Sequence, residues 1–98
     1  MLEIRNGANG AVELVGRLDA AQAPRAQERL DLEPVACVLD LAGLEYISSA
    51  GLGVLLKTHK RLLPSGGIRL VNVTPHLLDI FRFSGMDKLF AVEAGGRG

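Results

Sequence analysis

Apolar and charged residues alternate in two stretches near the start of the chain, residues 2–5 and Val12–Leu18. This period of two predicts two half-buried β-strands. The segment between them, residues 6–10, is rich in Asn and Gly, which tolerate the positive φ angles found in turns. Two strands joined by so short a turn predict an antiparallel hairpin.

Three later segments carry the spacing of helices, with apolar residues three and four positions apart, at 23–32, 49–63 and 75–84. Proline stands at the start of two of them, Pro24 and Pro75, where a helix tolerates it. Thr74 precedes the third helix and is its predicted N-cap. Glycines follow the second and third segments and predict their ends.

Strand patterns lie between these helices. The run at 35–39 is apolar without polar alternation, which predicts a central strand covered on both faces. A short turn is expected at 40–48, a further strand at Ile68–Val73 and a short last strand at 89–92. A hairpin followed by strand–helix alternation predicts an α/β fold with a mixed sheet and parallel crossovers. We expect one domain at 1–94 and a flexible tail at 95–98.

Composition narrows the class of protein. The chain has 98 residues, 48% hydrophobic and 22% charged, which is typical of one globular domain. Eleven basic residues balance eleven acidic ones, so binding to nucleic acid or to a membrane surface by bulk charge is not expected. The single cysteine, Cys37, is flanked by apolar residues and is interpreted as an inert buried thiol of a reducing compartment.

The sequence also predicts a location. The first residues lack the basic and apolar regions of a signal peptide. No apolar run reaches the roughly 20 residues that span a bilayer. We therefore expect a cytoplasmic protein with no direct membrane binding.

The most informative residues are two serines, Ser48 and Ser49, that open the second helix. Free N–H groups and the positive end of the helix dipole favour an anion such as a phosphoryl group there. Serine is also a common helix N-cap, and one serine is enough for that role. Gly51 and Gly53 each cost roughly 0.8–1 kcal/mol of helix propensity. They serve either close packing on the sheet or the approach of a partner, and the sequence leaves both open.

Spacing argues against an enzyme. The glycines complete neither a dinucleotide-binding motif nor a P-loop, because position 56 is leucine, and neither serine lies in a nucleophile elbow. His59 continues an apolar stripe and His76 starts a helix, so neither is expected to act as a base. Asp19 and Asp40 end strands and are expected to bond the following turns. We predict no catalytic residues, no cofactor and no metal site.

Several motifs together resemble the STAS domain, and in particular the anti-sigma-factor antagonists of bacteria. The likeness covers residues 1–90 and rests on Gly16-Arg-Leu-Asp19, on Asp40, on Ile47-Ser-Ser-Ala-Gly-Leu-Gly53 and on Phe83-Ser-Gly-Met-Asp-Lys-Leu-Phe90.

The resemblance implies a protein–protein switch. The unphosphorylated form would bind an anti-sigma factor that is also a serine kinase, phosphorylation would break that complex, and a phosphatase would restore it. The phosphoacceptor would be Ser49, with Ser48, which stands where the family usually has Asp, as the second choice. The implied partner-binding residues are Asp19, Ser48, Ala50, Gly51, Leu52 and Gly53.

Two other functions fit a STAS-like chain of this size. One is a structural subunit bound to the ATPase of a membrane-transport complex, which needs no phosphorylation. The other is a module that senses a ligand or nucleotide. The identity of the bound partner, a serine kinase or a transporter ATPase, distinguishes the switch from the structural subunit.

Overall fold

The computed structural model describes residues 1–95. Within them, six β-strands and three α-helices follow one another along the chain. They are β1 (Leu2–Asn6), β2 (Val12–Leu18), α1 (Ala23–Leu30), β3 (Cys37–Asp40), β4 (Leu44–Ile47), α2 (Ser49–Leu62), β5 (Ile68–Val73), α3 (Pro75–Ser84) and β6 (Ala91–Ala94). The remainder of the tail predicted at 95–98 lies outside the described residues.

The strands form one mixed sheet in the order β1-β2-β3-β5-β6. Strands β1 and β2 pair antiparallel, as the short turn between them predicts, and the other neighbours pair parallel. Strand β4 also pairs with β2 in parallel, further along β2 than β3 does, so β3 and β4 lie in line beside it. The predicted α/β fold with a mixed sheet is confirmed.

Strand β4 occupies part of the segment predicted as a turn. Its two buried residues, Leu44 and Ile47, are three positions apart, so the segment lacks the alternation that marks a strand. Pairing with β2 makes it a strand: the N–H of Gly16 donates to the carbonyl of Gly43 at 2.9 Å, and the register shifts between Gly16 and Arg17. Residues 44–47 therefore form a strand because they pair with β2, which is distant in sequence.

The prediction that the central strand is covered on both faces is wrong. On β3, Cys37 and Leu39 are buried, whereas Val38 and Asp40 are only half-buried. Val35 precedes the strand and is 57% exposed. The helices and the inward residues of the sheet share one core, so the opposite face of the sheet is open. The unbroken apolar run at 35–39 therefore includes two loop residues, Val35 and Ala36, and one residue on the open face of the sheet, Val38.

Several element ends differ from the pattern by one or two residues, among them the following. Helix α1 ends at Leu30, and Leu32 beyond it is 73% exposed. Helix α2 ends at Leu62, one residue early. Strand β6 begins at Ala91, because residues 86–88 form a short 3-10 turn. Thr74 is the N-cap residue of α3, as predicted, although its side chain makes no capping bond within residues 1–95.

Candidate functional site

Ser48 fixes the start of helix α2. Its backbone is extended and its Oγ accepts a hydrogen bond from the N–H of Gly51 at 3.2 Å, which is the geometry of an N-cap. Its own N–H donates to the carbonyl of Leu18 at 2.9 Å. The end of β2 therefore holds the first turn of α2 in place.

Ser49 is the first helical residue, and its side chain is exposed. Within residues 1–95, neither its hydroxyl nor its N–H makes a hydrogen bond, and the N–H of Ala50 is also unpaired. These two N–H groups and the positive end of the dipole of a 14-residue helix stabilise negative charge at this position. The geometry places an accessible hydroxyl where an attached phosphate would be tolerated.

The two glycines of this turn have different environments. A Cβ on Gly51 would lie 2.7 Å from the carbonyl oxygen of Leu18 and 2.7 Å from Cγ1 of Ile47, and Gly51 is buried. Within the domain its role is close packing of the helix on the sheet, and its contact with a partner stays a prediction. A Cβ on Gly53 would meet nothing within 4 Å among the described residues.

A groove of about 570 Å³ between α1 and α2 begins, on the α2 side, at Ala50, the residue after Ser49. Its wall on α2 is formed by residues at helical spacing, Ala50, Gly53, Val54 and Lys57. The remaining lining residues are Ala20, Ala23, Pro24, Gln27, Glu28 and Asp31. Sequence reasoning did not connect Lys57 or the α1 residues with the serines, although the spacing of the α2 residues is the signal that could have done so.

Asp19 lies beside this region because it follows Leu18, whose carbonyl binds Ser48. Asp19 is half-buried, and its Oδ1 accepts a hydrogen bond from the N–H of Gln22 at 3.1 Å. Its backbone carbonyl accepts a bond from the N–H of Ala23 at 3.0 Å. The predicted turn bonding of Asp19 is confirmed, and it positions the start of α1. Of the other predicted partner residues, Ala50 is exposed, whereas Leu52 is half-buried and packs against the core.

Asp40, further from the serines, has a structural role. Its Oδ1 accepts from the N–H of Ala42 at 2.9 Å and its Oδ2 accepts from Nδ2 of Asn72 at 3.1 Å. Asn72 has a φ of 55°, a conformation that Asn adopts more readily than most residues. The carboxylate therefore ties the end of β3 to β5, and the predicted turn bonding of Asp40 is confirmed.

The nucleophilic and metal-ligating residues do not gather at the serines. Burial raises the pKa of the Cys37 thiol, and the nearby Glu33 carboxylate raises it further. A thiol of raised pKa forms little reactive thiolate at neutral pH, which supports the interpretation as an inert thiol. Residues 1–95 hold no group of three or more His, Cys, Asp or Glu side chains that could bind a metal ion. Within the same residues, no helix is long and apolar enough to cross a bilayer.

We expect Ser48→Ala to lower the free energy of unfolding by about 1 kcal/mol, because it removes the capping bond to Gly51. For a domain of this size that change lowers the melting temperature by roughly 4–8 °C. Thermal melting measures it, with Ser49→Ala as the matched control that removes an unbonded hydroxyl. Equal melting temperatures for the two variants would contradict the assignment of Ser48 as the cap.

Comparison with known protein families defines the class of this domain. A family model described as Mlab, STAS domain, matches residues 2–92, which is nearly the whole chain. The chain therefore belongs to the STAS domain family.

Two relatives carry names of regulators. A Bordetella bronchiseptica protein named as the candidate anti-sigma factor antagonist BtrV is 40% identical over 88 residues, covering 89% of this chain and 68% of that protein. The anti-sigma-B factor antagonist of Bacillus subtilis is 29% identical over 96 residues, covering 89% of this chain and 84% of that protein.

Solved structures agree on the fold. The crystal structure of an anti-sigma factor antagonist from Mycobacterium paratuberculosis matches with a TM-score of 0.79 at 24% identity, covering 95% of this chain and 84% of that one. The Bacillus cell fate determinant SpoIIAA in its phosphorylated form matches with a TM-score of 0.66 at 18% identity, covering 94% and 90%. At these identities the likeness is one of fold.

Proposed function

We propose that this chain is an anti-sigma-factor antagonist that acts as a phosphorylation-dependent switch. Unphosphorylated, it binds an anti-sigma factor that is also a serine kinase, and phosphate on Ser49 releases that partner. A phosphatase returns the chain to the binding form. The observation that carries the proposal is the exposed, unbonded hydroxyl of Ser49 at the first position of α2, beside the unpaired N–H of Ala50.

The choice of Ser49 over Ser48 rests on their hydrogen bonds. The Oγ of Ser48 accepts from Gly51, and Ser48 is half-buried, so a kinase would have to break the cap to reach it. The hydroxyl of Ser49 has no bond to lose within residues 1–95 and is exposed. A phosphoryl group on Ser49 keeps the cap and the favourable helix end.

The docking surface that we propose extends from Ser49 into the groove between α1 and α2. Small residues, among them Ala50 and Gly53, leave room on the α2 side for a partner's side chains or backbone. A phosphate at the mouth of this groove adds about −1.5 to −2 charges. In the free protein water solvates that charge, whereas a closed interface would have to desolvate it. Because the phosphate is more stable in water than in the closed interface, phosphorylation should dissociate the complex.

The names of the two relatives support an anti-sigma factor as the partner. Two other functions stay open to test: a structural subunit of a membrane-transport ATPase and a ligand-sensing module. Neither requires an accessible serine at the start of α2. We therefore place the switch first, and the identity of the captured partner separates it from the transporter subunit.

The experiment begins with capture of partners from the native cytosol with and without ATP, followed by mass spectrometry of the captured proteins and of the bait. We expect a serine-kinase ATPase, and phosphate on Ser49 in the presence of ATP. With the purified kinase, Ser49→Ala should not be phosphorylated, whereas Ser48→Ala should be. Phosphate mapped to Ser48 in the Ser49→Ala variant would overturn the assignment. Recovery of a transporter ATPase without phosphorylation would overturn the switch.

A further inference from the structure

The groove between α1 and α2 contains a polar group that the proposed switch does not use. Three residues of α1 at helical spacing, Ala23, Gln27 and Asp31, line it opposite the α2 wall. The side-chain oxygen Oε1 of Gln27 is buried and has no hydrogen-bond partner within residues 1–95. No other buried side-chain oxygen or nitrogen of those residues lacks a partner. This acceptor is therefore an exception that needs a physical reason.

The hydrogen bonds of Gln27 fix which end of its amide carries the unpaired atom. Its Nε2 donates to Oδ1 of Asp31 at 3.0 Å and to Oγ1 of Thr58 at 3.1 Å. A carboxylate can only accept, and the hydroxyl of Thr58 already donates its proton to the carbonyl of Val54 at 2.8 Å. Both neighbours therefore require an N–H, so the amide cannot be reversed. Both hydrogens of Nε2 are bonded, whereas both lone pairs of Oε1 are free within residues 1–95.

The same bonds hold the Gln27 side chain between the two helices. They join α1 to α2, since Gln27 and Thr58 are 31 positions apart in sequence. Gln27 is half-buried and lines the groove, although Oε1 itself is covered. The terminal torsion of a glutamine side chain is soft. A small turn of the amide therefore presents Oε1 to the groove while at least one bond of Nε2 is kept.

A buried acceptor without a partner destabilises the free domain, because it has lost contact with water and gained no bond in return. A donor that reaches the acceptor removes this destabilisation. Departures from good local structure of this kind are expected at functional sites. The groove that contains Oε1 is the docking surface proposed above, so a hydrogen bond made only in the complex is the physical reason that fits.

We propose that Gln27 is a specificity-determining residue of this docking surface, and that the anti-sigma factor places an N–H donor in the groove that bonds Oε1. The inference rests on the proposed function for its partner and adds the chemistry of one contact that this partner makes. A protein with an apolar or acceptor group at that point leaves Oε1 unpaired and binds more weakly. Gln27 therefore selects the partner, whereas phosphate on Ser49 releases it.

Two variants separate this contact from a purely structural tie between the helices. Gln27→Met keeps an unbranched side chain of similar length and removes both Oε1 and Nε2. Thr58→Val removes the hydroxyl that ties α2 to Gln27 and keeps Oε1. Titration calorimetry with the purified anti-sigma factor gives the affinity of each unphosphorylated form, and thermal melting gives its stability.

We expect Gln27→Met to bind about tenfold more weakly than the unmodified chain, and Thr58→Val to bind within about threefold of it. Gln27→Met should melt no lower than Thr58→Val, because both lose the tie and only Gln27→Met also loses the unpaired acceptor. Gln22→Met is the matched control, since Oε1 of Gln22 already accepts a bond from Arg25 at 3.2 Å. It should bind like the unmodified chain.

A direct readout is the side-chain carbonyl carbon resonance of Gln27 in protein labelled at glutamine. The chain has two glutamines, Gln22 and Gln27, so the spectrum has an internal reference. The Gln27 resonance should move to lower field in the complex, as a carbonyl does when it accepts a hydrogen bond, and the Gln22 resonance should not.

The outcomes distinguish this inference from the function on which it rests. Equal affinities of Gln27→Met and the unmodified chain would overturn the inference alone, and so would equal losses for Gln27→Met and Thr58→Val. An unshifted Gln27 carbonyl resonance in the complex would also overturn it. An anti-sigma factor that does not bind the unmodified chain would refute the proposed function together with the inference.

Discussion

Replacing Ser49 with aspartate is expected to lower affinity for the anti-sigma factor by tenfold or more, about 1.4 kcal/mol, without unfolding the domain. The phosphorylated protein should show a larger loss, because phosphate carries more charge than aspartate. This expectation rests on the proposed switch and on the position of Ser49 at the exposed first residue of α2.

The fold should tolerate the charge for a local reason. A negative group at the first turn of a helix is stabilised by roughly 0.3–1 kcal/mol when exposed. The unpaired N–H groups of Ser49 and Ala50 supply that stabilisation. A small domain has about 5–15 kcal/mol of stability in total, so a change of this size and sign leaves it folded. The added charge should therefore lower the affinity for the partner and leave the stability of the domain nearly unchanged.

Titration calorimetry with the purified anti-sigma factor, beside thermal melting of each form, separates interface from fold. The forms compared are the unmodified protein, Ser49→Asp, the phosphoprotein and Ser49→Asn, which keeps the shape of aspartate without its charge. Ser49→Asn should bind more tightly than Ser49→Asp. A phosphoprotein that binds as tightly as the unmodified one would refute the switch, and one that melts well below it would assign the effect to the fold.

Much of the fold follows from the sequence because its patterns are local. Alternation in β2 and the apolar stripe of α2 each reflect one neighbouring layer, and the structure has both elements within one residue of the predicted bounds. Strand β4 could not be found in this way. Its four residues lack alternation, and its strand character comes from pairing with the end of β2 across a shifted register.

The same limit applies to the candidate site. The N-cap position of Ser48 and the helix start at Ser49 are encoded within a few residues, so sequence is sufficient to predict them. The different environments of Gly51 and Gly53 cannot be predicted from nearby residues, since they depend on how closely α2 approaches Leu18 and Ile47. The groove between α1 and α2 likewise arises only when segments distant in sequence pack together.

These two glycines give the second large effect that we expect. Gly51→Ala adds a methyl group 2.7 Å from a backbone carbonyl and from the Ile47 side chain, where no relaxation of one side chain is sufficient. Overpacking of this kind costs about 1–3 kcal/mol, from which a gain in helix propensity of up to about 1 kcal/mol is subtracted. Gly53→Ala gains the same propensity with no contact inside 4 Å among the described residues.

We therefore expect the free energy of unfolding to fall for Gly51→Ala and to rise for Gly53→Ala, with the two variants separated by about 1–3 kcal/mol. Denaturant unfolding measures both, and because the substitution and the helix are the same, the difference isolates packing. Gly53→Leu extends the comparison to binding: it should keep the stability of the fold while weakening the anti-sigma factor complex, because its side chain fills the groove wall beside Ala50. Equal stability of the two alanine variants would refute the packing role of Gly51. A Gly53→Leu variant with unchanged affinity would exclude this groove from the docking surface.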